Sequence, residues 1–139
     1  MQRILVEHKI KVLLGKVGLD AHDRGLKVVA SELRERGMEI VYLGIYQRVA
    51  GIIRAAIDED VDVIGIGSAT GEYLVAVPKL VEEMKKQNMS DILLLLGGNV
   101  PLDDILQLEK NGVDKVFPTD SNIEDIAGYI LHNVRQQRK

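Results

Sequence analysis

Five short aliphatic runs alternate with five amphipathic stretches along this chain, and that alternation leaves few folds open. The runs are Ile10–Leu14, Glu39–Leu43, Val61–Ile66, Asp91–Leu96 and Asp114–Phe117, each of strand length. After the first, Leu26, Val29, Ala30 and Leu33 fall at i, i+3, i+4 and i+7, one face of a helix. Val49, Ile52, Ile53, Ala56 and Ile57 repeat the stripe, as do Leu74, Val77, Val81 and Met84, with Pro78 in the first turns. Leu102 to Lys110 reads as a short fourth helix, and Ile123, Ile126, Ala127, Ile130, Leu131 and Val134 line a fifth. Gly37 and the Asn111-Gly112 pair stand where helices should stop.

Strict alternation of strand and helix requires a parallel sheet with right-handed crossovers. Five units predict a flavodoxin-like (Rossmann-type) α/β fold, a doubly wound five-stranded parallel sheet in the order 2-1-3-4-5. A closed barrel of this type needs eight units. The 139 residues fit a single domain, 1–139, with an N-terminal arm over 1–9 and a polar tail over 136–139.

Composition excludes several functions. A net charge of −3 gives no basic surface for tracking phosphates, so no nucleic-acid partner is expected. The absence of cysteine removes disulfides, thiolate metal sites and cysteine nucleophiles, and suits a cytoplasmic protein. No apolar run approaches the roughly 18 residues of a membrane span, so no membrane partner is expected.

The unusual residues fall in the segments that leave the strands, which gather at one edge of such a sheet, the edge that holds ligands. After the first strand stands Lys16-Val17-Gly18-Leu19-Asp20-Ala21-His22-Asp23-Arg24-Gly25. It is read as a loop that leads into a helix starting near Leu26. After the third comes Gly65-Ile66-Gly67-Ser68-Ala69-Thr70-Gly71, and after the fourth Gly97-Gly98-Asn99-Val100-Pro101. Phe117-Pro118-Thr119-Asp120-Ser121 follows the fifth. Small residues after strands three and four predict a trough suited to something large and flat or to an extended ligand tail. His22 is the one histidine on this edge, and a neutral imidazole is a good transition-metal ligand. One strong ligand does not hold a bare ion, but it suits a metal carried in a macrocycle that lacks one axial ligand. Asp20 is spaced to accept the other ring N–H and fix the tautomer, with Lys16 paired to it in turn. Asp23 is placed to cap the following helix. Ser68 and Thr70 are candidates for capping the third helix or for meeting a ligand.

Asp20-x-His22-x-x-Gly25 resembles the signature of domains that bind cobalamin base-off, with a histidine in place of its dimethylbenzimidazole. The longer run Lys16, Gly18, Asp20, His22, Asp23, Arg24, Gly25, Lys27 and Val28, with Gly97-Gly98-x-x-Pro101 later, resembles the methylmalonyl-CoA mutase branch. The resemblance covers nearly the whole chain in order. It implies that His22 is the lower axial cobalt ligand and the metal residue. It also implies that Asp20 and Lys16 complete its relay, and that Gly97 and Gly98 line the groove for the nucleotide tail. Asp23, Arg24, Gly25, Ser68, Thr70, Pro118 and Thr119 complete the expected cofactor site. Two places depart. The family's Ser-x-Leu falls on Gly67-Ser68-Ala69, and its Pro-Gly-Thr becomes Pro118-Thr119-Asp120-Ser121.

The resemblance further implies the cobalamin-binding small subunit of an adenosylcobalamin-dependent acyl-CoA mutase, an isomerase. Such a subunit is not catalytic alone, and its partner is a separate TIM-barrel subunit that binds the acyl-CoA. Alternatives are a corrinoid protein for methyl transfer, which usually carries a helical domain ahead of the binding domain, and a non-enzymatic cobalamin carrier or sensor.

Overall fold

In a computed structural model, residues 9–19 and 21–137 are described, with side chains described as far as Val134. Most of the N-terminal arm, Asp20 and the last two residues of the tail lie outside that range. The elements in order are β1 (Lys11–Val17), α1 (Arg24–Glu35), β2 (Glu39–Gln47), α2 (Val49–Glu59) and β3 (Val63–Ser68). They continue with α3 (Tyr73–Lys86), β4 (Leu93–Gly98), α4 (Leu102–Lys110), β5 (Lys115–Pro118) and α5 (Ile123–Gln137). All strand pairs are parallel and the order is β2-β1-β3-β4-β5, as the alternation predicts.

Because side chains alternate across a strand, the sheet has two apolar faces. Leu13, Ile64, Ile66, Leu94 and Leu96 point toward α2, α3 and α4 and form the larger cluster with Ile52, Val77 and Leu80. Val12, Leu14, Val63, Leu93 and Leu95 point the other way and pack with Leu33 of α1 and Ala127, Ile130 and Val134 of α5.

The helices stop as their sequences suggest. Gly37, at φ +90°, follows α1, and the Gly37 and Met38 N–H groups donate to Arg34 O and Leu33 O. This paired return closes the helix end in the Schellman manner and drives the apolar Met38 inward. Asn88 at φ +57° does the same after α3, and Gly112 at φ +125° follows α4. Tyr73 and Asp104 join the starts of α3 and α4, with the hydroxyl donating at 2.7 Å. Burial and the neighbouring carboxylate push the Tyr73 hydroxyl up to about 12.

At the edge opposite the ligand loops, two aspartates pin the strands. Asp62, fully buried before β3, accepts the Lys11 N–H through Oδ2 at 2.8 Å. Asp114, before β5, accepts the Leu94 N–H at 2.7 Å. Each supplies an acceptor that the frayed start of the ladder lacks.

Strands run further than the aliphatic runs suggest. β1 extends through Gly15 and Lys16 to Val17, so Lys16 is a strand residue rather than the first of a loop. β3 reaches Ser68 and β4 reaches Gly98. β2 continues to Gln47 past irregular pairing with β1 and two positive-φ residues, Gly44 and Tyr46. The Gln47 side chain donates to Leu43 O and Ile45 O there, which steadies the irregular edge. No helix among the described residues is long and apolar enough to cross a membrane.

Asp62→Ala leaves the half-buried Lys11 N–H without this acceptor and should cost about 1–3 kcal/mol in urea unfolding, with Asp62→Asn costing less. The Tyr73 hydroxyl binds its proton more tightly in the folded state. Stability linked to it is therefore complete below pH 10 and is lost as pH rises toward 12. Tyr73→Phe should remove that part of the alkaline loss, measured as unfolding midpoint against pH.

Candidate cofactor-binding site

The departures from an ordinary aliphatic sheet lie in one row. Lys16, Gly67, Gly97 and Phe117 stand in register on β1, β3, β4 and β5. By alternation all four belong to the face covered by α1 and α5. Adjacent strands lie about 4.8 Å apart, so two neighbouring glycines clear a floor about 10 Å wide between the lysine and the phenylalanine. Gly65 lies on the same face next to Leu14 and Leu95. The walls are the apolar sides of α1, with Leu26 and Val29, and of α5, with Ile126 and Ile130. The resulting cavity has a volume of about 920 Å³. That is near the top of the usual 300–1,000 Å³ range for small-molecule sites.

The glycines are not interchangeable. Gly98 has φ +133°, and a Cβ there would lie 1.8 Å from the Ser68 carbonyl oxygen. Backbone meets backbone at that point, because Ser68 O also accepts the Asn99 N–H at 3.1 Å. Only glycine fits. At Gly97 the nearest atom to an added Cβ is Phe117 O at 3.6 Å, an ordinary contact. At Gly67 it is Leu26 Cδ1 at 3.3 Å, the tip of a flexible side chain. Gly97 and Gly67 therefore keep the floor open, whereas Gly98 lets the strands close up.

Most of the expected site residues meet at this cavity. His22, Asp23, Arg24 and Gly25 line it where β1 hands over to α1, and His22 is exposed. A side chain at Gly25 would meet nothing within 4 Å, so the space above it is open to an approaching molecule. Lys16 lines the cavity with its side chain buried, at 4% exposure. Gly97, Gly98, Pro118 and Thr119 line its far side. Asp20 lies outside the described residues.

Three positions differ from the simplest expectation. Asp23 occupies the N-cap position of α1, yet makes no side-chain cap bond. Its carboxylate instead pairs with Lys27 one turn later at 3.4 Å. Ser68 lines the cavity, but its hydroxyl donates to Thr70 O at 2.6 Å and is spent within its own loop. Thr70 is exposed and does not line the cavity. Neither residue caps α3, whose N-cap is Glu72.

Periodicity alone hid several participants. Leu26, Val29 and Ile126 read as core stripes, yet they are cavity walls. Gln47 and Glu72 are far apart in sequence, and both hold the segment after β1. The Gly18 N–H donates to Gln47 O at 3.2 Å, and the Leu19 N–H to Glu72 Oε1 at 2.7 Å.

This is a flavodoxin-like sheet with a large cavity at the edge where the carboxyl ends of its strands gather. Residues 10–127 match the model of the B12 binding domain family. The chain is 40% identical over 112 residues to the 2-hydroxyisobutanoyl-CoA mutase small subunit of Aquincola tertiaricarbonis, which covers 81% of this chain and 82% of that one. It is 39% identical to the pivalyl-CoA mutase small subunit of Xanthobacter autotrophicus, covering 85% and 79%. It is 34% identical to methylmalonyl-CoA mutase of Rhizobium meliloti over 95% of this chain and 18% of that protein. Among solved structures, a cobalamin-binding protein from Desulfitobacterium hafniense superposes with TM-score 0.78 at 20% identity, covering 89% of this chain and 58% of that one. A Francisella response-regulator receiver domain superposes at 0.72 with 14% identity over 94% and 100%, a likeness of fold alone.

The chain belongs to the B12-binding family. It is a B12-binding domain related to methylmalonyl-CoA mutase and to the small subunits of acyl-CoA mutases.

Residues and cofactor fit each other. Among the described residues no group of three or more His, Cys, Asp or Glu is placed to hold a bare metal ion. A single imidazole at the mouth of a long apolar cavity suits a metal that arrives in its own ring with a tail to bury.

Gly98→Ala should lower the unfolding midpoint sharply, because it forces the β3 and β4 ends apart. Gly97→Ala should leave the stability of the unliganded chain within about 1 kcal/mol of wild type, since its added methyl meets no close neighbour.

Proposed function

We propose that this chain is the cobalamin-binding small subunit of a two-component acyl-CoA mutase, holding adenosylcobalamin base-off with His22 as the lower cobalt ligand. The observation that carries the reading is the side-chain-free floor between Lys16 and Phe117, which opens where His22 stands. An apolar slot of this depth suits the displaced nucleotide tail, and the imidazole at its mouth suits the coordination position that the tail vacates. The names of the relatives at 40% and 39% identity favour a mutase subunit over a methyl-transfer protein.

In this reading each part of the chain has a separate task. Gly67 and Gly97 admit the tail, and Leu26, Val29, Ile126 and Ile130 exclude water from it. Gly98 aligns the β3 and β4 ends. Gly25 leaves room for the flat ring to approach α1. His22 would hold cobalt through one ring nitrogen, with Asp20 accepting its other ring N–H and Lys16 pairing with that carboxylate in turn, which sets the ligand's basicity. When bound, adenosylcobalamin supplies a carbon radical by homolysis of its cobalt–carbon bond. The acyl-CoA is bound by a separate large subunit with a barrel fold.

Titration of the purified chain with hydroxocobalamin should move the absorption spectrum to a base-off, histidine-ligated form. His22→Ala should abolish that form, while His132→Ala leaves it intact. An unchanged spectrum at saturating protein, or equal behaviour of the two variants, refutes the assignment. Mutase activity should require the large subunit, and turnover of an acyl-CoA by this chain alone would overturn the division of labour.

A further inference from the structure

Glu72 does not line the groove. It stands at the N-cap of α3 with helical φ −67° and ψ −20°, not the extended conformation from which a cap side chain reaches its own helix's N–H groups. It makes no such bond. Its Oε1 reaches across 53 residues of sequence and accepts the Leu19 N–H at 2.7 Å. The carboxylate sits directly over Gly18, where an added Cβ would lie 1.3 Å from Oε1. Gly18 has φ +72°, so glycine is demanded there by conformation and by this contact alike. On the other side the Gly18 N–H donates to Gln47 O of β2. The chain leaving β1 is thus gripped from both neighbours of that strand.

Burial does not explain the grip. Leu19 is 83% exposed, so packing contributes little at that residue. What fixes it is the backbone hydrogen bond to a carboxylate, which is stronger than one to a neutral acceptor. Leu19 is three residues ahead of His22. An extended tether of that length spans at most about 10 Å, so an anchored Leu19 on one side and α1 from Arg24 on the other bound the positions open to His22. Ordering a loop at the moment of binding weakens affinity, and a loop ordered beforehand avoids that loss.

We propose that Glu72 is a positioning residue that holds the β1–α1 loop so that His22 meets cobalt. This rests on the reading of His22 as the axial ligand. It adds a residue outside the signature motif and ties the loop after β3 to the ligand-bearing loop after β1.

The test uses the full chain with hydroxocobalamin and the variants Glu72→Ala and Glu72→Gln. Glu72→Ala should weaken binding about tenfold and leave part of the saturated cobalamin base-off but not histidine-ligated. Exchange of the Leu19 amide hydrogen in the unliganded protein should quicken. Glu72→Gln retains an oxygen that accepts the same N–H through a weaker, uncharged bond, and should restore the ligated spectrum and slow exchange in part. Should Glu72→Ala not fold, Glu72→Asp draws the carboxylate back by one methylene and should show the same losses. Wild-type affinity and spectrum in Glu72→Ala, or in Glu72→Asp if that variant stands in for it, overturn the role, as does a glutamine variant that behaves no better than the alanine one. A wild-type chain without any histidine-ligated spectrum refutes the His22 reading and this role with it. A wild-type chain that ligates normally beside an indifferent Glu72→Ala refutes the role alone.

Discussion

Everything at the ligand edge depends on where the sheet omits side chains. Elsewhere both faces carry leucine, isoleucine and valine, and the helices seat directly on them. On the α1/α5 face, in the row shared by β1, β3, β4 and β5, two adjacent strands present only glycine. A close-packed core normally leaves no void larger than a water molecule. Here α1 and α5 span a gap instead, resting on Val12, Leu14, Val63, Leu93 and Leu95 deeper in the sheet. The groove is therefore a property of register, because moving either glycine by one residue would send it to the opposite face and fill the floor.

The same edge shows how one sheet serves two needs. Toward the edge with Asp62 and Asp114, carboxylates satisfy the starts of the ladders and the interior is tightly filled. Toward the other edge, the strand ends are satisfied by each other and by loops, as at Ser68 O with Asn99 N–H and Gln47 O with Gly18 N–H. The receiver-domain likeness makes the point from another side, since a shared scaffold says nothing of chemistry until the edge residues are specified.

The positions of the helices were legible from spacing, and the segments after the strands supplied most of the residues that line the cavity. The periodic stripes predict α4 at Leu102–Lys110 as observed, and they place Gly37 and Gly112 just past helix ends. Strand ends were less legible. Gly15-Lys16, Gly67-Ser68 and Gly97-Gly98 break the aliphatic pattern and read as loop, yet each is held in the sheet by neighbouring strands. Lys16 thereby becomes a buried strand residue beside the floor. Ser68 and Thr70 read as candidates for capping α3 or for meeting a ligand; the serine hydroxyl donates to the Thr70 carbonyl oxygen, and Thr70 is exposed outside the cavity lining.

By itself the sequence determined the order of elements, the faces they bury and the cluster of unusual residues after each strand. Those follow from local periodicity and from the rule that parallel strands bring their ends to one edge. Only the tertiary structure decided that Gly67 and Gly97 lie side by side, that Gly98 at the groove's far side is demanded by backbone contact with Ser68, and that Glu72 reaches Leu19. Each of these is a contact between residues far apart in the chain. Which of them meet depends on register across the sheet, and a one-dimensional pattern does not carry that information.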